Sequence, residues 1–327
     1  MKDSGATVGA AVQSMLSQSH ADFELLAVDD GSRDDTCLRA KEAALGDTRL
    51  KVLSSQGAGL VAALNTGLAQ ASAPQFIARM DADDESHPER LEACLRALDD
   101  SPGLCAVGTQ VDLFRDDRPV SPSLAAYGAW LNGHTNSMSL FHDRYVESPL
   151  CHPSVVMRRQ ALTQVGGYLD VDGPEDWHLW LRMLEAGLSL ACVPRRLHRW
   201  RDHDARLTRV DARYSRARQN EMKADFLAQR LRDVGPLTVW GAGQTGLALS
   251  RALGRRGRST ARFIDVDPRK IGQRIDGVRV ESFDSLGPPP PHGHLLAAVG
   301  SHGARTDIRS HLVGLGWNEG LHFTCAA

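Results

Sequence analysis

The run FIARMDADDESHPERL, residues 76–91, constrains this chain more than any other stretch. Phe76, Ile77, Ala78 and Met80 read as an apolar strand. It stops at Asp81, Asp83, Asp84 and Glu85, and a helix start follows at Pro88 and Glu89. Carboxylates at the C-terminal end of a buried strand stand where open α/β sheets bind ligands. In a tight turn the side chains of Asp81 and Asp83 can face one divalent cation, and hard oxygen donors suit Mg or Mn. Acidic triplets are also common in plain surface turns, so the neighbouring sequence has to decide.

Those neighbours alternate between strand and helix. Val8, Val12, Met15 and Leu16 recur on one face of a helix over 6–19. A strand over 23–32 carries Leu25 to Val28, with Asp29 and Asp30 at its C-terminal edge and Gly31 in the turn. Ser32, Asp34 or Asp35 then caps a helix running to Leu45. A short strand at 51–53, a small-residue helix at 59–71 and the strand at 76–80 complete the front. This rhythm predicts a parallel sheet with helical crossovers. Further strands are predicted at 104–113 and 154–159. An amphipathic helix over 174–187 has Trp177, Leu181 and Leu184 on one face and stops at Gly187. Between them, Tyr127, Trp130, Phe141 and Tyr145 lie in a less regular stretch suited to a pocket wall, a lid or packing on the sheet. A charged helix over 211–233 precedes Gly235-Pro236, where a second domain begins.

A length of 327 residues suits two domains. A net charge of −2 makes no case for nucleic acid as a partner. The six cysteines are dispersed without metal spacing, which reads as free thiols in a reducing compartment. No stretch approaches the roughly 20 apolar residues of a membrane span, and the first residues supply no signal-like apolar core. The expectation is a cytoplasmic protein, with peripheral association on the inner face of the membrane left open.

Taken together, VDDGSRDDT (28–36), ARMDADD (78–84), HPSVVMRR (152–159), GPEDWHLWLRMLEAG (173–187) and RDHDARLTR (201–209) resemble family 2 of the inverting, nucleotide-sugar-dependent glycosyltransferases with the GT-A fold. The resemblance covers residues 1 to about 210. It implies that Asp30, with Asp29 beside it, contacts the nucleotide base. It also implies that Asp81 and Asp83 bind the cation on the donor diphosphate, with Asn65 and Arg79 in the same donor site. Glu175-Asp176 becomes the catalytic acidic pair, with Asp176 deprotonating the acceptor hydroxyl. His203 falls near phosphate or metal, with an ordinary surface histidine as the alternative, and His152 falls on the acceptor side. The implied donor is a nucleoside diphosphate sugar, most often a UDP-sugar. The acceptor is a glycan, a glycolipid or a small molecule.

Residue chemistry agrees with these assignments. Such a transfer needs positive charge against the leaving group and a carboxylate base opposite the donor. Asp176 sits in the first turn of its helix, where the dipole favours the charged form. Simple helix capping is the plainer role for Glu175 and Asp176. Two departures from the family pattern stand out. The chain begins after the strand and Pro-x-x-Asn-like turn that usually open the domain, and Lys2–Gly5 looks like the remnant of that turn. The expectation is a true start upstream; the alternative is a lost inner strand and a reduced base pocket. Ala63-Leu64-Asn65 also stands where relatives often carry Arg before the Asn.

In the rear, WGAGQTGLALSRALGRRG (240–257) gives Gly241, Gly243 and Gly246 in GxGxxG spacing between a strand and a helix. Asp265 follows at the distance of a ribose-binding acid. This half is Rossmann-like, and with DPRKIGQRIDGVRV (267–280) it resembles small nucleotide-binding-like domains appended to sugar-modifying enzymes. Either a nucleotide binds there or the glycines only allow close packing. The expected organisation is a GT-A domain over 1–210, apparently without its first strand, a helical linker over 211–235 and a Rossmann-like α/β domain over 236–327, with a homodimer possible. Two rival functions are a catalytically impaired sugar-nucleotide-binding or scaffold protein, and an NAD-dependent oxidoreductase run from the rear domain, where no hydride-transfer group stands out.

Overall fold

The strand that leads into the acidic turn is short, Phe76–Ala78, and it is a strand of a mixed sheet. The computed structural model describes residues 1–72, 75–301 and 303–327. Two compact units divide the chain. The first holds Met1–Phe141, Pro149–Val171 and Glu175–Arg209, and the second holds His142–Ser148, Asp172–Pro174 and Val210–Ala327.

In the first unit, β1 (Leu25–Asp29) and β2 (Leu50–Ser54) pair in parallel. A five-stranded sheet is built from β3 (Phe76–Ala78), β4 (Glu85–Ser86), β5 (Leu104–Phe114), β6 (Val156–Arg158) and β7 (Ser189–Arg201), in the order β3-β6-β5-β7-β4. The all-parallel expectation is corrected here. Only β1–β2 and β5–β7 are parallel, whereas β6 runs antiparallel to both β3 and β5, and β4 antiparallel to β7. Strands of two or three residues carry no directional signal; the point at which the chain re-enters the sheet sets their direction. Along β1, the Met1 amino group donates to Val28 O at 2.6 Å, and Asp30 N–H donates to Met1 O at 2.8 Å.

The aromatic stretch is more regular than expected. It forms two helices, Pro122–Asn132 and Ser137–Asp143. Ser121 caps the first by accepting from Leu124 N–H, and Pro122 occupies the first turn, where its missing N–H costs nothing. The helix Glu175–Glu185 is buried on more than the one face its spacing predicts. Trp177, Leu179, Trp180, Leu181 and Met183 are all fully buried. Trp180, Leu179 and Met183 pack with Ala106, Val155, Met157 and Leu190 in the core that supports the sheet.

In the second unit, β8 (Leu237–Trp240), β9 (Thr260–Asp265), β10 (Arg274–Ile275), β11 (Val278–Ser282), β12 (His294–Ala297) and β13 (Phe323–Cys325) form one sheet in the order β10-β11-β9-β8-β12-β13. All neighbours are parallel except β10. The parallel strands therefore run third, second, first, fourth, fifth, with the topological switch between β8 and β12. The charged helix, Arg216–Arg230, lies in this unit. Arg256 pairs with its Glu221 at 2.8 Å and its Asp225 at 2.6 Å, and its buried Lys223 donates to Ala326 O at 2.9 Å. Among the described residues no helix is long and apolar enough to cross a membrane. All six cysteines are free thiols, five of them buried.

Candidate active site

The turn after β3 gathers carboxylates. Ligand oxygens of Asp81, Asp83 and Asp84 all lie within 4.8 Å of one another. Three like charges this close need cations. Arg79 supplies one, with Nη1 2.5 Å from Asp81 Oδ1. Desolvation in the crevice pushes the Asp81 carboxyl up, but the Arg79 guanidinium, with Arg206 behind it, holds the group below the usual carboxylate range. Asp83 goes the other way, raised by desolvation and by its neighbours Asp81 and Asp84. His203 Nε2 lies 3.0 Å from Asp83 Oδ2, which puts the predicted histidine on the predicted ligand.

Asp84 has a different part from its neighbours. It is 1% exposed. Its Oδ1 accepts from Arg201 N–H at 2.8 Å, and its Oδ2 lies 2.9 Å from His198 Nε2. Burial, then Asp81, raises its carboxyl; burial, then Arg90, holds His198 well below the ordinary imidazole value. Arg201 Nε donates to Asp83 O at 2.6 Å, and its guanidinium also pairs with Glu85 and Asp116. Asp84, His198 and Arg201 thus pin the turn to β7 through both Asp84 oxygens, whereas Asp81 pairs with Arg79 and Asp83 with His203. The sequence reading missed this support because its members lie more than a hundred residues apart. The second Asp of DADD and the His of RRLHRWR were the only local signals.

The start of the Glu175–Glu185 helix lies within electrostatic reach of Arg79. Glu175 is buried, 4% exposed, and within the electrostatic reach of Arg79 and Tyr168. Asp176 is half-buried, and its Oδ1 accepts from Trp177 N–H at 2.7 Å. His152 Nε2 lies 2.7 Å from the Tyr168 hydroxyl, both groups buried. Burial and the Arg79 charge keep His152 neutral, well below its ordinary value. Tyr168 is absent from the sequence reading; the Gly166-Gly167 pair before it is the only local signal there.

The residues expected on the nucleotide have local partners. Asp29 accepts from Ser32 Oγ at 2.5 Å and from Ser32 N–H at 3.3 Å. Asp30 accepts from Gly59 N–H at 2.8 Å and pairs with Lys2 at 3.4 Å. Asn65 Nδ2 donates to Tyr168 O at 2.9 Å, so this side chain fastens the loop that carries Tyr168. Arg206, unmarked in the sequence, stacks its guanidinium 4.3 Å from the Trp200 ring centroid and lies within electrostatic reach of Asp81 and Asp84.

In the second unit the glycine motif lies at the switch point. Gly241 has φ +120°, and a Cβ there would meet Ala298 O at 2.7 Å. A Cβ on Gly246 would fall 1.8 Å from Gly241 O. Both glycines are thus required by close packing of strand, turn and helix. Gly243 is open by comparison, with Lys270 Nζ at 3.9 Å from a Cβ built there. The Asp265 carboxylate accepts from Ala242 N–H, Asp267 N–H and Lys270 Nζ, each at 2.9 Å.

A sheet edge bearing a cation-sized acidic turn, with a second acidic pair on a helix start, is the layout of GT-A enzymes. Solved structures share the fold. The mannosyltransferase PcManGT from Pyrobaculum calidifontis, in complex with GDP-Man and Mn2+, superposes with a TM-score of 0.52 at 16% identity, covering 79% of this chain and 71% of that one. S. aureus TarS 1-349 in complex with UDP-GlcNAc gives 0.51 at 15% identity, covering 71% of each chain. The model of the family described as "Glycosyl transferase family 2" matches residues 2–166. A Bacillus subtilis (strain 168) protein, "Putative glycosyltransferase EpsE", is 31% identical over 218 residues, covering 64% of this chain and 73% of the relative. The chain belongs to glycosyl transferase family 2 and is a glycosyltransferase.

Proposed function

We propose that residues 1–210 transfer a sugar, with inversion, from a nucleoside diphosphate sugar to a hydroxyl of a glycan, glycolipid or small-molecule acceptor. The observation that carries this reading is the cluster of Asp81, Asp83 and Asp84 oxygens within 4.8 Å, with the His203 imidazole beside Asp83. Hard oxygen donors in this number fit Mg or Mn. Asp81 and Asp83 would hold that cation with His203 adjacent, and when bound it neutralises charge on the departing diphosphate. Asp84, His198 and Arg201 keep the turn in place. Asp29 and Asp30 meet the base. Asp176 takes the proton of the acceptor hydroxyl, and the helix dipole at its first-turn position favours a carboxylate there. UDP is the leading nucleotide and GDP its rival; TarS was solved with UDP-GlcNAc and PcManGT with GDP-Man. With a glycolipid acceptor, the protein works in the cytoplasm on the inner face of the membrane. The Rossmann-like domain is accessory, and a nucleotide at its switch point would lie against Gly243.

Calorimetry of the full chain with UDP, GDP and dTDP, in Mn2+ and in EDTA, tests the reading. Binding of one nucleotide that requires Mn2+ and disappears in Asp81→Asn supports it. Equal binding of all three in EDTA overturns the metal role.

A further inference from the structure

We propose that Arg79 is a positioning residue that joins the two halves of the reaction centre, fixing the cation-binding carboxylate of Asp81 and the start of the base-bearing helix at Glu175 through one guanidinium. This rests on the functional reading of Asp81 and Glu175-Asp176 given above. It assigns Arg79 a role through its neighbours in place of contact with the donor.

Arg79 directly follows β3, and its N–H donates to Val155 O at 2.9 Å, so its main chain is anchored to the sheet. Its side chain is 8% exposed, which is deep for a charged group. Nη1 engages one oxygen of Asp81 at 2.5 Å. A carboxylate gripped by one oxygen presents the other in a fixed direction, as outer partners of metal-binding carboxylates do. The Tyr168 hydroxyl and the buried Glu175 carboxylate lie within reach of the same charge. Tyr168 is itself held by His152 at its hydroxyl and by Asn65 at its carbonyl. The guanidinium Nε is buried and, among the described residues, has no hydrogen-bond partner. A group placed only for stability would have its donors satisfied. Here satisfaction is incomplete while the charge pairs with Asp81 and acts electrostatically on Glu175. A planar guanidinium can address both at once, which a lysine ammonium cannot do with the same geometry.

The test uses the full chain with Mn2+ alone, followed by electron paramagnetic resonance, and then Mn2+ with UDP or GDP. Arg79→Met should raise the Kd for Mn2+ by about 10- to 100-fold, the usual scale for losing an outer partner of a metal ligand. Arg79→Lys should fall between Met and wild type. In an Asp81→Asn background Arg79→Met should have little further effect on Mn2+, because the two residues act as a unit. At saturating Mn2+ and donor, kcat of Arg79→Met should still be reduced, since the Arg79 charge no longer acts on Glu175. Wild-type Mn2+ affinity in a cooperatively melting Arg79→Met protein overturns the proposal. So does an unchanged kcat at saturation, which removes the link to Glu175. Should Met at this position prevent folding, the Lys variant decides, and wild-type affinity and kcat there count against the proposal. If wild-type Mn2+ binding is insensitive to Asp81→Asn, the functional reading fails and this proposal with it.

Discussion

Substituting alanine at two of the three glycines of the rear motif should have very unequal consequences. In Gly246→Ala the new Cβ would lie 1.8 Å from Gly241 O, 2.9 Å from Gly241 C and 3.4 Å from Ala298 O. All three are main-chain atoms, so no side chain can rotate away. Relief requires the helix Gln244–Gly254 to move off the turn by more than about 1 Å, and overpacking of this kind costs about 3 kcal/mol or more. Alanine recovers about 1 kcal/mol of helix propensity. The net loss is then about 2 kcal/mol, or roughly 6 °C in the melting of the rear unit. In Gly243→Ala the Cβ meets, among the described residues, only Lys270 Nζ, at 3.9 Å, and φ is −102°, which any residue adopts. Its melting should stay within about 0.5 kcal/mol of wild type. Differential scanning calorimetry of both variants, with and without added UDP or NAD, separates packing from ligand. Ligand-induced stabilisation present in wild type and lost in Gly243→Ala would mark a nucleotide site. A Gly246→Ala protein that melts like wild type would refute the packing role.

Three other perturbations follow from particular contacts. His203→Ala removes the imidazole beside Asp83 and should weaken nucleotide binding in Mn2+ by about 10-fold, with the melting temperature unchanged; equal affinity in calorimetry would return His203 to the ordinary surface. Arg90→Met strips the fully buried guanidinium from Ser86 Oγ, Arg79 O and Pro153 O, leaving two buried carbonyls without this donor. Urea denaturation should report a loss of about 3 kcal/mol. His294 is buried beside Thr324, and burial lowers its pKa from 6.5 to about 4. The unfolded chain therefore takes up a proton that the fold refuses. This contribution is fully present above pH 6.5, is lost as pH falls from 6.5 to 4, and is flat below that. It amounts to about 3 kcal/mol, and His294→Asn should flatten that part of the stability profile.

Much of this architecture is legible along the chain because its signals are local. The glycine spacing at 241–246 and the apolar run before it suffice for the rear sheet, since helix start, turn and strand lie within twenty residues. The acidic turn was equally plain from Met80-Asp81 onward. What the chain hides is long-range. Asp84 has no role readable from its neighbours, and only the fold shows His198 and Arg201, 114 and 117 positions away, holding both its oxygens. Asn65 matches a donor-site position by sequence, yet its amide goes to Tyr168 O, 103 positions away. Direction of pairing is hidden too, because β6 is three residues long and its antiparallel setting depends on where the chain returns to the sheet. The helices at 122–132 and 137–143 were obscured by Asn, His and Ser, whose local preferences point to turns; Ser121 and Pro122 are the start signals that mark the first of them.

The most direct measurement is turnover by Asp176→Asn compared with its affinity for the donor. The full chain, Mn2+, the nucleoside diphosphate sugar picked out by calorimetry and a verified acceptor are required, with release of nucleoside diphosphate as the readout. The side chain keeps its size and the oxygen that accepts from Trp177 N–H, so donor binding should be nearly unchanged. Without a carboxylate to receive the hydroxyl proton, turnover should fall by about 10²-fold or more. Turnover within a factor of about three of wild type would contradict the assignment and move the base to Glu175.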